Sequence, residues 1–97
     1  MRVPAGLQKP GRSLWRKITA EFDIENDPDR VELLFQACKT VDQIAELDEA
    51  AADAPLIAKG SMGQPVISPF IAEARVQRAL LGQLFARMNF ESRPVDE

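Results

Sequence analysis

Apolar residues along this 97-residue chain recur mostly at steps of three and four, the spacing of one face of an α-helix. Leu14, Ile18 and Phe22 stand at i, i+4 and i+8 with Trp15 beside them, and predict a short helix over about 12–22. A second stripe runs through Val31, Leu34, Cys38, Val41 and Ala45, widened by Leu33, Phe35, Ala37 and Ile44. So broad an arc predicts a long helix, about 28–52, that touches more than one neighbour. The third stripe is Phe70, Ala74, Gln77, Leu81, Leu84 and Met88, with Phe85 alongside. It forms a near-heptad seam to about Asn89, suited to lying lengthwise on the second helix.

The polar positions between the stripes supply the boundaries. Asp27-Pro28 and Ser68-Pro69 each place a capping residue before a proline at the first helical position, where its missing N–H is not needed. Asp29 then complements the positive end of the second helix dipole. Two β-prone runs, Leu56-Ile57-Ala58 and Pro65-Val66-Ile67, flank the loop "KGSMGQ" and predict a hairpin. As a phosphate loop "GSMG" lacks the Lys-Ser/Thr pair and does not open onto a helix, so it reads as a turn needing positive φ. Residues 1–10, with Pro4, Gly6 and Pro10, read as an irregular basic arm, and the polar residues 91–97 as a disordered tail.

The predicted fold is mainly α. A short N-terminal helix precedes two long antiparallel helices joined through a small β-hairpin at about 55–67, in one helical domain over 11–90. One short helix and one helical hairpin cannot bury both broad stripes alone, which predicts an oligomer. The residues expected in its core or subunit seam are Trp15, Leu34, Cys38, Val41, Phe70, Leu81, Leu84 and Met88.

Composition narrows the chemistry. Five Phe, one Trp and no Tyr make a modest core. No apolar run approaches the ~20 residues of a membrane span, and the N-terminus lacks the apolar stretch of a signal peptide. A single cysteine excludes an internal disulfide and fits a reducing compartment, so a cytoplasmic protein without membrane contact is expected. With no histidine, the usual zinc, haem and imidazole-base constellations are missing. No metal, cofactor or catalytic residue is expected, and Cys38 reads as a small buried hydrophobe.

Charge is divided along the chain. Residues 1–20 carry Arg2, Lys9, Arg12, Arg16 and Lys17 and no acid, whereas residues 21–54 carry eleven acids against Arg30 and Lys39. Either the basic segment is an ordinary solvated one or it faces a polyanion. Because Trp15 belongs to the apolar stripe, the basic side chains rather than the ring face outwards, which suits phosphate contact more than base stacking. The second helix is a poor recognition helix, since its N-terminal end presents Asp27, Asp29 and Glu32 to any phosphate. Arg75 and Arg78, projecting away from the seam, form a second candidate patch, for which a solvated role or an intersubunit ion pair is the alternative.

Three segments together, "GRSLWRKITAEFDI", "LLFQACKTVDQIAEL" and "GSMGQPVISPFIAEARVQRALLGQL", resemble the small terminase subunits of tailed bacteriophages, in versions common in actinobacterial phages and prophages. The resemblance covers roughly residues 7–88 and lies in the order and spacing of its elements. Ser68-Pro69 departs from the His-Pro pair expected there in many relatives, so no role of that histidine carries over. The resemblance implies a non-enzymatic DNA-recognition component of the packaging motor: a ring oligomer that engages double-stranded DNA and presents it to the terminase large subunit. A helical-hairpin adaptor that docks a protein partner and binds no DNA is the alternative.

Overall fold

The computed structural model of the chain describes residues 1–60 and 62–90. Its elements are α1 (Lys9–Glu21), α2 (Pro28–Ala52), β1 (Ile57–Lys59), β2 (Pro65–Ile67) and α3 (Pro69–Met88). The mainly helical architecture is therefore as expected. The 91–97 tail lies outside the described residues, and no described helix is long and apolar enough to cross a membrane.

α2 and α3 run antiparallel. Leu34 in the first half of α2 shares a core with Leu84 and Met88 at the end of α3, while Asp48 near the end of α2 meets Arg78 of α3. Prolines 28 and 69 open both helices as expected, with Asp27 and Ser68 at the N-cap positions. Neither side chain caps, however. The Asp27 carboxylate turns instead to Arg30, 3.5 Å away, and the Ser68 hydroxyl is packed inside, 1 % exposed, without a hydrogen-bond partner among the described residues. At its other end α3 stops on Asn89 in the left-handed conformation, φ 53°, a backbone state asparagine tolerates. That reversal directs Phe90 back onto Phe22, with ring centroids 4.2 Å apart and planes 9° from parallel.

The hairpin pairs Ile57 with Ile67, Ala58 with Val66 and Lys59 with Pro65. Gly63, at φ +81°, supplies the positive φ that the loop was expected to need. Gly60 does not; there a Cβ would lie 2.6 Å from the side-chain amide of exposed Gln64, a flexible group that can move aside.

α1 packs on α2, its start reaching Asp42 and Glu46, and the core concentrates where these two meet the end of α3. Leu7, Trp15, Ile24, Leu34, Ala37, Cys38, Leu84 and Met88 form it, all 8 % exposed or less. The molecule is elongated, 59 × 31 × 22 Å, and this core occupies one end. Of the expected seam residues, Val41 and Leu81 are half-buried and Phe70 is 40 % exposed in the single chain.

Candidate nucleic-acid interface

The start of α1 departs from the sequence reading in an instructive way. The helix begins at Lys9 rather than Arg12, so Lys9 and Pro10 belong to it and only residues 1–8 remain irregular. Gln8 occupies the N-cap and offers no capping bond of its own. Asp42 of α2 does the capping instead. One carboxylate oxygen accepts the Gln8 N–H at 2.7 Å and the other accepts the Gly11 N–H at 2.7 Å. These are the N-cap and third-position donors that a capping box satisfies from within one segment; here a single carboxylate on a neighbouring helix serves both. Gln8 adds a side-chain bond to Glu46, 2.6 Å.

Such close approach fixes the residue at position 11. A Cβ there would stand 2.6 Å from an Asp42 oxygen and 2.7 Å from the Cys38 carbonyl oxygen, so only glycine fits without displacing α2 or α1. Asp42 itself is 6 % exposed, and the positive end of the α1 dipole stabilises its charge together with the two N–H groups. Beneath it the Cys38 thiol is pushed up from 9.0 to about 12, first by burial and then by the Asp42 charge. The thiol is thus inert, in line with its place among buried hydrophobes.

This clamp orients the basic face. Gly11 and Trp15 are buried and Leu14 and Ile18 half-buried, so the opposite side of α1 presents Lys9, Arg16 and Lys17, all exposed. Arg12 is not equivalent to them. It is half-buried, and its guanidinium donates to the Leu7 carbonyl at 2.6 Å, tying the arm to the helix. The arm is not free either: Leu7 is buried, Val3 packs on the core, and Met1 lines a shallow cleft with Thr19, Phe22 and Ile24. The chain before α1 therefore doubles back along it and leaves exposed Arg2 toward the helix's C-terminal end. Of the five cations expected in the patch, Lys9, Arg16 and Lys17 share the outer face of α1 and Arg2 is exposed on the arm near the helix's other end, while Arg12 is engaged by the Leu7 carbonyl.

Of the second patch, Arg75 is exposed, while Arg78 donates to Asp48 at 2.5 Å across the α2–α3 contact. Arg78 is thus paired within its own chain, a partner that neither the solvated nor the intersubunit alternative named. Trp15 is 2 % exposed and offers no stacking surface, although its indole N–H has no acceptor among the described residues. No group of three or more described Cys, Asp or Glu side chains is placed to hold a metal ion.

Sequence reasoning missed Asp42 and Gly11. The available signal was an acid set between Val41 and Ile44 in an apolar arc, together with a basic helix whose own N-cap residue is a poor one. No family model matches the chain, and no curated protein or solved structure matches it.

Proposed function

We propose that the chain is a DNA-binding oligomeric component of the terminase small-subunit kind, contacting the phosphate backbone through the outer face of α1. The observation that carries this reading is the presentation of Lys9, Arg16 and Lys17 on one exposed side of a helix whose first turn is clamped to α2 by Asp42. A held helix loses less freedom on binding than a free tail, so each cation contributes more of its attraction to affinity. Most such contacts go to phosphate, which positions the protein without reading sequence; with no aromatic or amide side chain exposed between the cations, base readout falls to Arg16 and the lysines themselves. Repetition of the patch in an oligomer adds its weak contacts by avidity. The partners of this reading are double-stranded DNA and the terminase large subunit.

The test is the salt dependence of binding to a duplex of mixed sequence. Arg16→Ala/Lys17→Ala leaves the Arg12–Leu7 bond intact, so folding is preserved. Each lost phosphate contact should lower the slope of log K against log [salt] by about 0.9; the double variant should therefore lose close to two units of slope along with affinity. Equal binding by parent and variant would sink the assignment.

The adaptor reading is favoured by a different observation, the apolar side chains exposed around the hairpin. It predicts no duplex affinity at moderate salt.

A further inference from the structure

The hairpin exposes a concentrated apolar surface. Leu56 is 63 % exposed, Ile57 54 %, Met62 88 % and Ile67 41 %. Ile57 and Ile67 are direct partners in the ladder, and Lys59 and Pro65 are the next pair on the same face. That face is thus three apolar side chains and one cation, open to solvent, while Val66 on the other face is half-buried. A two-stranded ribbon is marginal in water unless something packs on it.

Next to the hairpin, α2 and α3 leave open a groove of about 430 Å³ lined by Gln43, Glu46, Leu47, Ala50, Phe70, Glu73 and Gln77. Its apolar part is Leu47, Ala50 and Phe70; its polar part is acidic and contains no lysine or arginine. Glu46 and Glu73 each accept one neutral amide N–H, from Gln8 and Gln77 respectively, and neither forms an ion pair among the described residues. The Gln77 side-chain oxygen is buried without a donor among the described residues. A cationic N–H donor carried on an apolar surface would satisfy all three groups.

Lys59, flanked by Ile57 and the hairpin tip, is such a donor. We propose that the hairpin of one copy of this chain seats in the α2–α3 groove of another, with the Lys59 ammonium among Glu46, Glu73 and the Gln77 oxygen. Ile57 and Met62 then cover Leu47, Ala50 and Phe70. Every copy both gives a hairpin and receives one, and a head-to-tail sequence of such contacts closes into a ring where the rotation permits. The inference rests on the self-association in the proposed function and is independent of DNA contact.

The experiment is native mass against protein concentration for the parent chain, Lys59→Glu, and Lys59→Glu combined with Glu73→Lys. Lys59 and Glu73 are both exposed and remote from the Trp15 core, so helical content and thermal midpoint should stay at parent values. The expected result is an assembled parent, a midpoint of association shifted at least tenfold to higher concentration by Lys59→Glu, and recovery of most of that shift in the charge-swapped double variant. A parent that stays monomeric, a Lys59→Glu variant that assembles like the parent, or a loss that Glu73→Lys does not recover would each overturn the interface. The DNA titration separates this failure from that of the functional reading. A protein whose assembly ignores Lys59 but whose duplex affinity falls steeply with salt loses only the interface; one whose assembly obeys the charge swap yet ignores DNA loses only the nucleic-acid reading.

Discussion

The two ends of this molecule are built from similar residues to different degrees of completion. At one end three helices meet, and Trp15, Leu34, Cys38 and Met88 are 2 % exposed or less. At the other, the same two long helices continue without a third. There Phe70 and Val76 remain 40 % and 59 % exposed, and Leu56, Ile57 and Met62 of the hairpin region 63 %, 54 % and 88 %. The thirteen residues of α1 make the difference: a helix pair with broad apolar arcs closes only where something covers both. Stability should therefore reside almost wholly at the α1 end, leaving the hairpin end available for association.

The sharpest way to break this comparison is to truncate one large side chain at each end. Trp15→Ala should cost about 3–5 kcal/mol, as buried aromatic truncations do, and at about 4–8 °C per kcal/mol should leave little folded protein at 37 °C. Val76→Ala or Leu56→Ala, assayed at a concentration where the chain is monomeric, should stay within about 0.5 kcal/mol of the parent, in the range of surface substitutions. Thermal melts followed by circular dichroism decide it. Comparable losses at the two ends would mean that the hairpin end has a core of its own.

The next effect lies inside the closed end. Asp42→Ala strips the acceptor from two N–H groups at the start of α1, Gln8 and Gly11, at about 1–3 kcal/mol for the buried Gly11 donor and less for Gln8, whose N–H water can reach. Gly11→Ala drives a methyl into the same carboxylate and should cost about 1–3 kcal/mol through overpacking. Because both changes act on one contact, their double variant should destabilise by less than the two losses added together. Simple additivity in urea denaturation would show that Gly11 and Asp42 act separately, contrary to their geometry.

What the sequence made legible follows this same division. Three- and four-residue spacing sufficed for α2, α3 and the burial of Trp15, because each rests on many apolar positions whose collective pattern survives local exceptions. The hairpin was legible from its glycines, one of which does adopt positive φ. The start of α1 was not legible, because its cap is supplied by Asp42, thirty-four positions from Gln8, and capping rules read only neighbouring residues. The cations were visible as a charged run, but the demotion of Arg12 to an internal bond and the folding back of the arm depend on where Leu7 packs. The packing of Phe90 was likewise invisible, because it depends on the αL turn at Asn89 that returns the ring to Phe22.

A smaller effect comes from Cys38, whose thiol is held at about 12 against an ordinary 9.0 by burial and, secondarily, by Asp42. A raised thiol favours the protonated form in the folded chain. Its stabilising contribution is therefore complete below pH 9, where both states are protonated, and declines as pH rises toward 12, where the unfolded chain alone has ionised. The loss should reach about 1 kcal/mol by pH 10. Denaturation of the parent and of Cys38→Ala at pH 8 and pH 10 isolates it: the parent should lose more than the variant over that interval, whatever the variant's lower starting point. Equal losses would place the thiol in contact with water and loosen the account of the closed end.

The smallest effect belongs to the junction between the two ends. Arg78 and Asp48 bridge α3 and α2 at 2.5 Å, yet both side chains are about half exposed, 55 % and 49 %. Exposed pairs contribute about 0.2–1 kcal/mol and are screened by salt, so Arg78→Ala should lower stability by less than 1 kcal/mol at low ionic strength. The difference should fade as sodium chloride is raised. The value of the measurement lies in that fading. A loss well above 1 kcal/mol that persists in salt would mean that Arg78 is buried in solution, which a single chain does not provide. A neighbouring copy covering the hairpin end would then be supplying the burial, and the contrast between a closed and an open end would describe the isolated chain rather than its assembly.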